Sequence, residues 1–115
     1  MSPHAKGSIW AQILLDAYWG FTAKYGFSYD WKRGTRGNNR ILHDVVDSLK
    51  IQPCNPSFVD ARNAIIQANK VRYAGQDVCI WWKAFTARGL GTQASAGGYE
   101  DFTLPTECSG FDYFY

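Results

Sequence analysis

The sequence predicts an all-α fold, a four-helix bundle-like lobe followed by an extended, irregular C-terminal tail. Three observations carry this. Apolar side chains recur at three-and-four spacing in four successive segments, the pattern of a helix that buries one face. Residues that start or stop helices punctuate those segments: Ser2-Pro3, Gly26, Asn55-Pro56, Gly75 and Gly89. After Gly89 the period is lost among Gly-Leu-Gly, small residues from Ala94 to Gly98, and Pro105. A single domain, residues 1–115, is expected, because a chain of this length buries roughly two-thirds of its unfolded surface around one core.

The first helix is expected over residues 5–24, with Ile9, Trp10, Ile13, Leu14, Ala17 and Phe21 on its buried side and Gly26 as its stop. The stretch from Phe27 to Asn39 reads as a loop, since Asp30, Gly34, Thr35, Gly37, Asn38 and Asn39 are turn formers and no period is sustained. The densest basic stretch, Lys32, Arg33, Arg36 and Arg40, reads as solvated and loop-like. A second helix over 39–49 places Ile41, Leu42, Val45, Val46 and Leu49 along one side and turns His43, Asp44 and Asp47 toward the other. The third helix, 56–73, starts where Asn55 can cap free amides and Pro56 takes the first helical position, where its missing N–H costs nothing. Asp60 suits the positive end of that helix, and Phe58, Ala61, Ile65 and Ala68 run inward. The fourth, 77–88, carries Val78, Trp81, Trp82 and Phe85 as its apolar stripe, with Gly89 suited to the left-handed turn that closes it. Residues 89–115 form the tail, whose aromatic end from Phe111 to Tyr115 is either pinned on the bundle or frayed.

Composition excludes several function classes. Apolar residues at 46% and charged ones at 19% belong to a globular chain rather than a disordered one. A net charge of +2 with both signs interspersed gives no basic track for a phosphate backbone, so nucleic acid is not an expected partner. No apolar run approaches the roughly 20 residues of a membrane span, and the N-terminus lacks the charged-then-apolar pattern of a signal peptide. Aromatic residues, 17% of the chain, either fill an aromatic-rich core or leave some rings on a surface that meets a partner.

Cys54, Cys79 and Cys108 are an odd number, so one disulfide plus one buried thiol is expected. If the third and fourth helices pack antiparallel, Cys54 and Cys79 lie at opposite ends, beyond the roughly 7 Å that a disulfide allows between Cα atoms. Cys108 then bonds to one or the other and pins the tail, which suits an oxidising, extracellular setting. No metal site is expected, because there is no C-x-x-C and the only histidines are His4 and His43. His43 and Asp47, one helical turn apart, could touch a single ion, but two ligands leave a site half empty and a solvated helix face is the plainer reading. No Gly-x-Ser-x-Gly elbow supports nucleophilic catalysis.

Several blocks carry a family resemblance: His4-Ala5-Lys6-Gly7-Ser8-Ile9-Trp10-Ala11, then Gly37-Asn38-Asn39, then the run from Leu49 through Gln52-Pro53-Cys54-Asn55-Pro56 to Asp60-Ala61-Arg62. Cys79-Ile80-Trp81-Trp82-Lys83-Ala84-Phe85 follows, leading to Arg88-Gly89-Leu90-Gly91. In these blocks the chain resembles the C-terminal helical part of the fungalysin family, secreted metallopeptidases related in plan to thermolysin. The resemblance implies one wall of a peptide-binding cleft, with zinc held elsewhere by H-E-x-x-H and a downstream glutamate. No H-E-x-x-H occurs here, so no cofactor is expected in this chain, and it is expected not to cleave peptides by itself. By the same resemblance His4 falls where the family places a donor to the developing oxyanion. The implied partner is the missing catalytic lobe or a larger protein subunit, and the implied location is extracellular. The alternative is a noncatalytic binding module or accessory subunit that holds a partner protein on an aromatic face.

Overall fold

The computed structural model describes residues 3–95 and 100–110, with side chains from residue 5 onward. Four α-helices run in chain order, α1 Pro3–Tyr25, α2 Gly37–Ile51, α3 Phe58–Tyr73 and α4 Val78–Ala87, and a 3-10 turn spans Thr106–Cys108. The all-α expectation holds. Among the described residues the one β pairing is an isolated parallel bridge between Leu90 and Asp101. That bridge, with Gly91 N–H donating to the Asp101 carbonyl at 2.7 Å and Thr92 N–H to the Thr103 carbonyl at 3.0 Å, folds the first part of the tail back on itself. The aromatic end from Phe111 to Tyr115 lies outside the described residues.

Helix ends follow local chemistry and depart from the sequence reading in several places: α1 starts at Pro3 rather than residue 5, α2 runs on to Ile51 rather than 49, and α3 starts at Phe58, which leaves Pro56 outside the helix. Gly26 closes α1 at a φ of 77°, a conformation glycine adopts without strain. α2 begins at Gly37 rather than at residue 39, because the Asn39 side chain reaches back to accept from the Arg36 N–H at 3.1 Å and organises the first turn. Gly37 also sits against α1, where a Cβ would fall 2.6 Å from the Thr22 nitrogen and closer still to the Phe21 carbonyl. Asn55 does not cap α3. It is exposed at a φ of 51°, and Ser57 caps instead, its hydroxyl accepting from Asp60 N–H at 3.1 Å while Asp60 Oδ2 accepts from Ser57 N–H at 3.0 Å. A serine followed three residues later by an acid satisfies two free amides reciprocally, which a single Asn cap cannot. Gly89, at a φ of 83°, ends α4 as expected.

The helices form a ring. α1 packs on α2 and α4, and α3 packs on the same two, while the diagonal pairs do not approach at the backbone. Ile13, Ala17 and Phe21 of α1 meet Ile41 of α2, Ile65 and Ile66 of α3, and Val78, Ile80, Trp81 and Phe85 of α4 in one core. Trp81 stands at its centre, fully buried, with the Phe21 ring centroid at 5.6 Å and that of Phe85 at 5.7 Å. Trp10 stacks on both Phe85 and Phe58, each at 6.0 Å, and so joins α1 to the start of α3.

Cys79 and Cys108 form the disulfide, with 5.4 Å between their Cα atoms, and the 3-10 turn is thereby fastened to α4. Of the two pairings the sequence left open, the tail takes this one. The remaining thiol, Cys54, is exposed rather than buried, because it lies in the loop between α2 and α3 and not under a helix.

Candidate functional site

Hydropathy places Asp44 toward solvent and Val46 and Leu49 toward the core; the structure reverses both. Val46 and Leu49 are exposed, and the inward face of α2 is Gly37, Arg40, Ile41, Asp44 and Ser48. Those positions share one helical stripe, spaced by three and four. Hydropathy alone selected the neighbouring stripe. Arg40 likewise belongs to no solvated loop. It is buried in α2 with its guanidinium stacked between the rings of Tyr25 and Tyr73, 4.2 and 4.0 Å from their centroids.

Arg40 opens a polar cluster that draws on all four helices. Its Nε donates to Asp77 Oδ2 at 3.0 Å and its Nη2 lies 2.9 Å from the same oxygen. Asn69 of α3 directs one amide nitrogen to two carboxylates, 2.8 Å from Asp44 Oδ2 and 3.0 Å from Asp77 Oδ2. The Asn69 carbonyl oxygen accepts from the Asp77 backbone N–H at 3.0 Å, which fixes the amide in this orientation. Trp81 Nε1 donates to Asp44 Oδ2 at 2.8 Å, and the Tyr25 hydroxyl donates to Asp77 Oδ1. Asp44, Asn69 and Asp77 have no solvent exposure. Burial, then the Asp77 carboxylate, pushes the Tyr25 phenol up from its ordinary value, so it remains a hydrogen-bond donor. Burial also raises the Asp44 carboxyl to about 6 against the pull of its bonds to Trp81 and Asn69.

The groups that sequence reading weighed for chemistry are otherwise engaged or lie apart. His4 stands in the first turn of α1, and its side chain falls outside the described part. His43 Nδ1 lies 2.6 Å from the Tyr73 hydroxyl, and burial followed by the Arg72 charge lowers its pKa. Asp47 accepts from Arg72 Nε at 2.7 Å and Nη2 at 3.2 Å, and that bond holds its carboxyl below the usual range. His43 and Asp47 are thus committed to different partners on α3 and do not converge on one ion. Among the described residues no group of three or more His, Cys, Asp or Glu side chains is placed to hold a metal.

A second buried cation, Arg62, clasps the tail. Its Nη1 donates to the Gly91 carbonyl at 2.6 Å and its guanidinium lies over the Trp82 ring at 5.0 Å. The exposed rings among the described residues lie elsewhere: Trp19 on α1, Phe27, Tyr29 and Trp31 in the loop before α2, and Phe102 in the tail, with Phe27 and Tyr29 edge to face at 5.5 Å. No helix among the described residues is long and apolar enough to cross a membrane.

Comparison with known proteins gives a consistent result. The family model described as Fungalysin metallopeptidase (M36) matches residues 1–94. Extracellular metalloproteinase 2 of Trichophyton tonsurans is 36% identical over 113 residues, covering 91% of this chain and 18% of that protein. The extracellular metalloproteinase of Pyrenophora tritici-repentis is 39% identical over 104 residues, covering 83% of this chain and 16% of its own length. Extracellular metalloproteinase 5 of Arthroderma otae is 42% identical over 97 residues, covering 79% and 15%. The chain therefore spans less than a fifth of the length of the curated relatives it matches.

Proposed function

Because the chain belongs to the fungalysin metallopeptidase family, we propose that it is the C-terminal helical lobe of an extracellular metalloendopeptidase, without peptidase activity when purified by itself. The donor set carries this reading. A catalytic zinc takes three protein ligands and keeps a position for water, and the described residues offer no such group. Asp44 and Asp77 are spent on Arg40, Asn69, Trp81 and Tyr25, and His43 and Asp47 on Tyr73 and Arg72. These residues do not fit the ion, so this chain's part in hydrolysis is to bind and position a peptide at a metal held by other sequence.

His4, in the first turn of α1, is the residue we assign to the oxyanion of the assembled enzyme. The tether from Cys79 to Cys108 supports an extracellular setting, where a disulfide persists. Supplying the chain to the zinc-bearing remainder of a relative tests the reading. Chelator-sensitive casein hydrolysis is expected from the mixture and from neither part alone, and His4→Ala in the mixture is expected to lower kcat by roughly a hundredfold or more. Hydrolysis by the isolated chain, or a mixture indifferent to His4, would contradict it.

A noncatalytic binding module is the second reading, favoured by Tyr29 at 97% exposure beside Phe27, with Trp31 and Trp19 also exposed. A chain that elutes bound to a partner protein through these rings, with no effect on proteolysis, would favour it over the first.

A further inference from the structure

The two carboxylates at the centre of the bundle are provided for unequally. Asp77 Oδ2 receives Arg40 and Asn69, and its Oδ1 receives the Tyr25 hydroxyl. Asp44 Oδ2 receives Asn69 and Trp81, while Asp44 Oδ1, fully buried, has no hydrogen-bond partner among the described residues. One guanidinium lies among them, and it contacts Asp77. An ionised oxygen in that position would be a buried negative charge with no donor; protonation exchanges it for a neutral hydroxyl, which costs far less to leave unpaired.

We propose that Asp44 is a built-in proton site of this lobe: at mildly acidic pH it carries a proton on Oδ1 as a neutral acid, the negative charge of the cluster resides on Asp77 against Arg40, and the four helices tighten as that proton is taken up. The direction of its pKa, raised by burial to about 6, agrees with the geometry. The groups facing Asp44 are Tyr25 from α1, Arg40 from α2, Asn69, Arg72 and Tyr73 from α3, and Asp77 and Trp81 at α4.

The sign follows from linkage. A carboxyl that binds its proton more tightly in the folded chain adds stability that is fully present below its unfolded value of 3.8 and is lost as pH rises through about 6. Between pH 5 and 7.5 this weakens folding roughly tenfold. His43, whose pKa is lowered in the fold, acts in the opposite sense, since folding disfavours its protonation as pH falls through its ordinary value of 6.5. Comparing the parent chain with Asp44→Asn cancels the His43 contribution, and asparagine mimics the neutral acid at the same two donors.

The test is a carboxyl-carbon NMR titration of the full chain, with urea unfolding of parent and Asp44→Asn from pH 5 to 7.5. Asp44 is expected to titrate near pH 6, and the parent's folding constant is expected to fall about tenfold relative to the variant as pH rises. An Asp44 resonance that titrates at or below pH 4, or a parent-to-variant ratio that does not change with pH, would overturn the proposal. The titration is read on the parent and stands whether or not the variant folds.

Discussion

Two ion pairs tie α2 to its neighbours, and their chemistry is nearly the same. Arg40 and Asp77 approach to 2.9 Å with side chains 8% and 0% exposed, whereas Arg72 and Asp47 approach to 2.7 Å with 44% and 22%. The shorter pair is the less consequential. In water the attraction of Arg72 for Asp47 is screened and offset by the entropy of holding two long side chains. In the core the attraction is strong, but each partner has been taken out of water and relies on the other. Distance alone therefore does not rank them; what ranks them is what remains when one partner is removed.

The largest effect is expected from Arg40→Met, which keeps the packing against Tyr25 and Tyr73 but leaves two buried carboxylates without a cation. A loss of about 3–5 kcal/mol is expected in urea unfolding at neutral pH. A loss below about 1 kcal/mol would mean that the inner pair behaves like the outer one. Replacing both Cys79 and Cys108 by serine is expected to cost about 2–4 kcal/mol, read from the same transition. If the tail stays protected in hydrogen exchange, the Arg62 bond to the Gly91 carbonyl holds it in place.

A smaller effect separates the two regions by pH. Between pH 5 and 7.5 the parent chain is expected to lose about 1.4 kcal/mol relative to Asp44→Asn, the equivalent of the tenfold change above. The outer pair contributes nothing over that interval, because the bond to Arg72 holds the Asp47 carboxyl low and so keeps it ionised throughout. The smallest change is expected from Arg72→Ala, under about 1 kcal/mol and reduced further at 1 M salt.

What the sequence made legible divides along the same line. The four helices, the Trp10, Trp81 and Phe85 core and the Gly89 turn follow from apolar spacing and helix-stop residues, because hydrophobic burial is periodic and local. The inner stripe of α2 was hidden because two of its members, Arg40 and Asp44, have the charge of surface residues. Their burial depends on Asn69 and Asp77, contributed from elsewhere in the chain. Its signal was present in the spacing of Gly37, Ile41, Asp44 and Ser48, a stripe that small and polar side chains mark without hydropathy. The Ser57 cap was legible from Asp60 three residues on, but Asn55-Pro56 offered a competing start. The exposed thiol of Cys54 was misplaced because the expectation of burial came from residue type alone.

The claim that Asp44, Asp77, Asp47 and His43 serve the lobe's own packing is tested most directly by metal content after equilibrium dialysis of the purified chain against zinc at neutral pH. Zinc well below one ion per chain is predicted, together with a urea transition unmoved by the metal. One tightly held zinc per chain, raising that transition and removed by a chelator, would show that ligands assigned here to Arg40, Tyr73 and Arg72 are free for a metal after all.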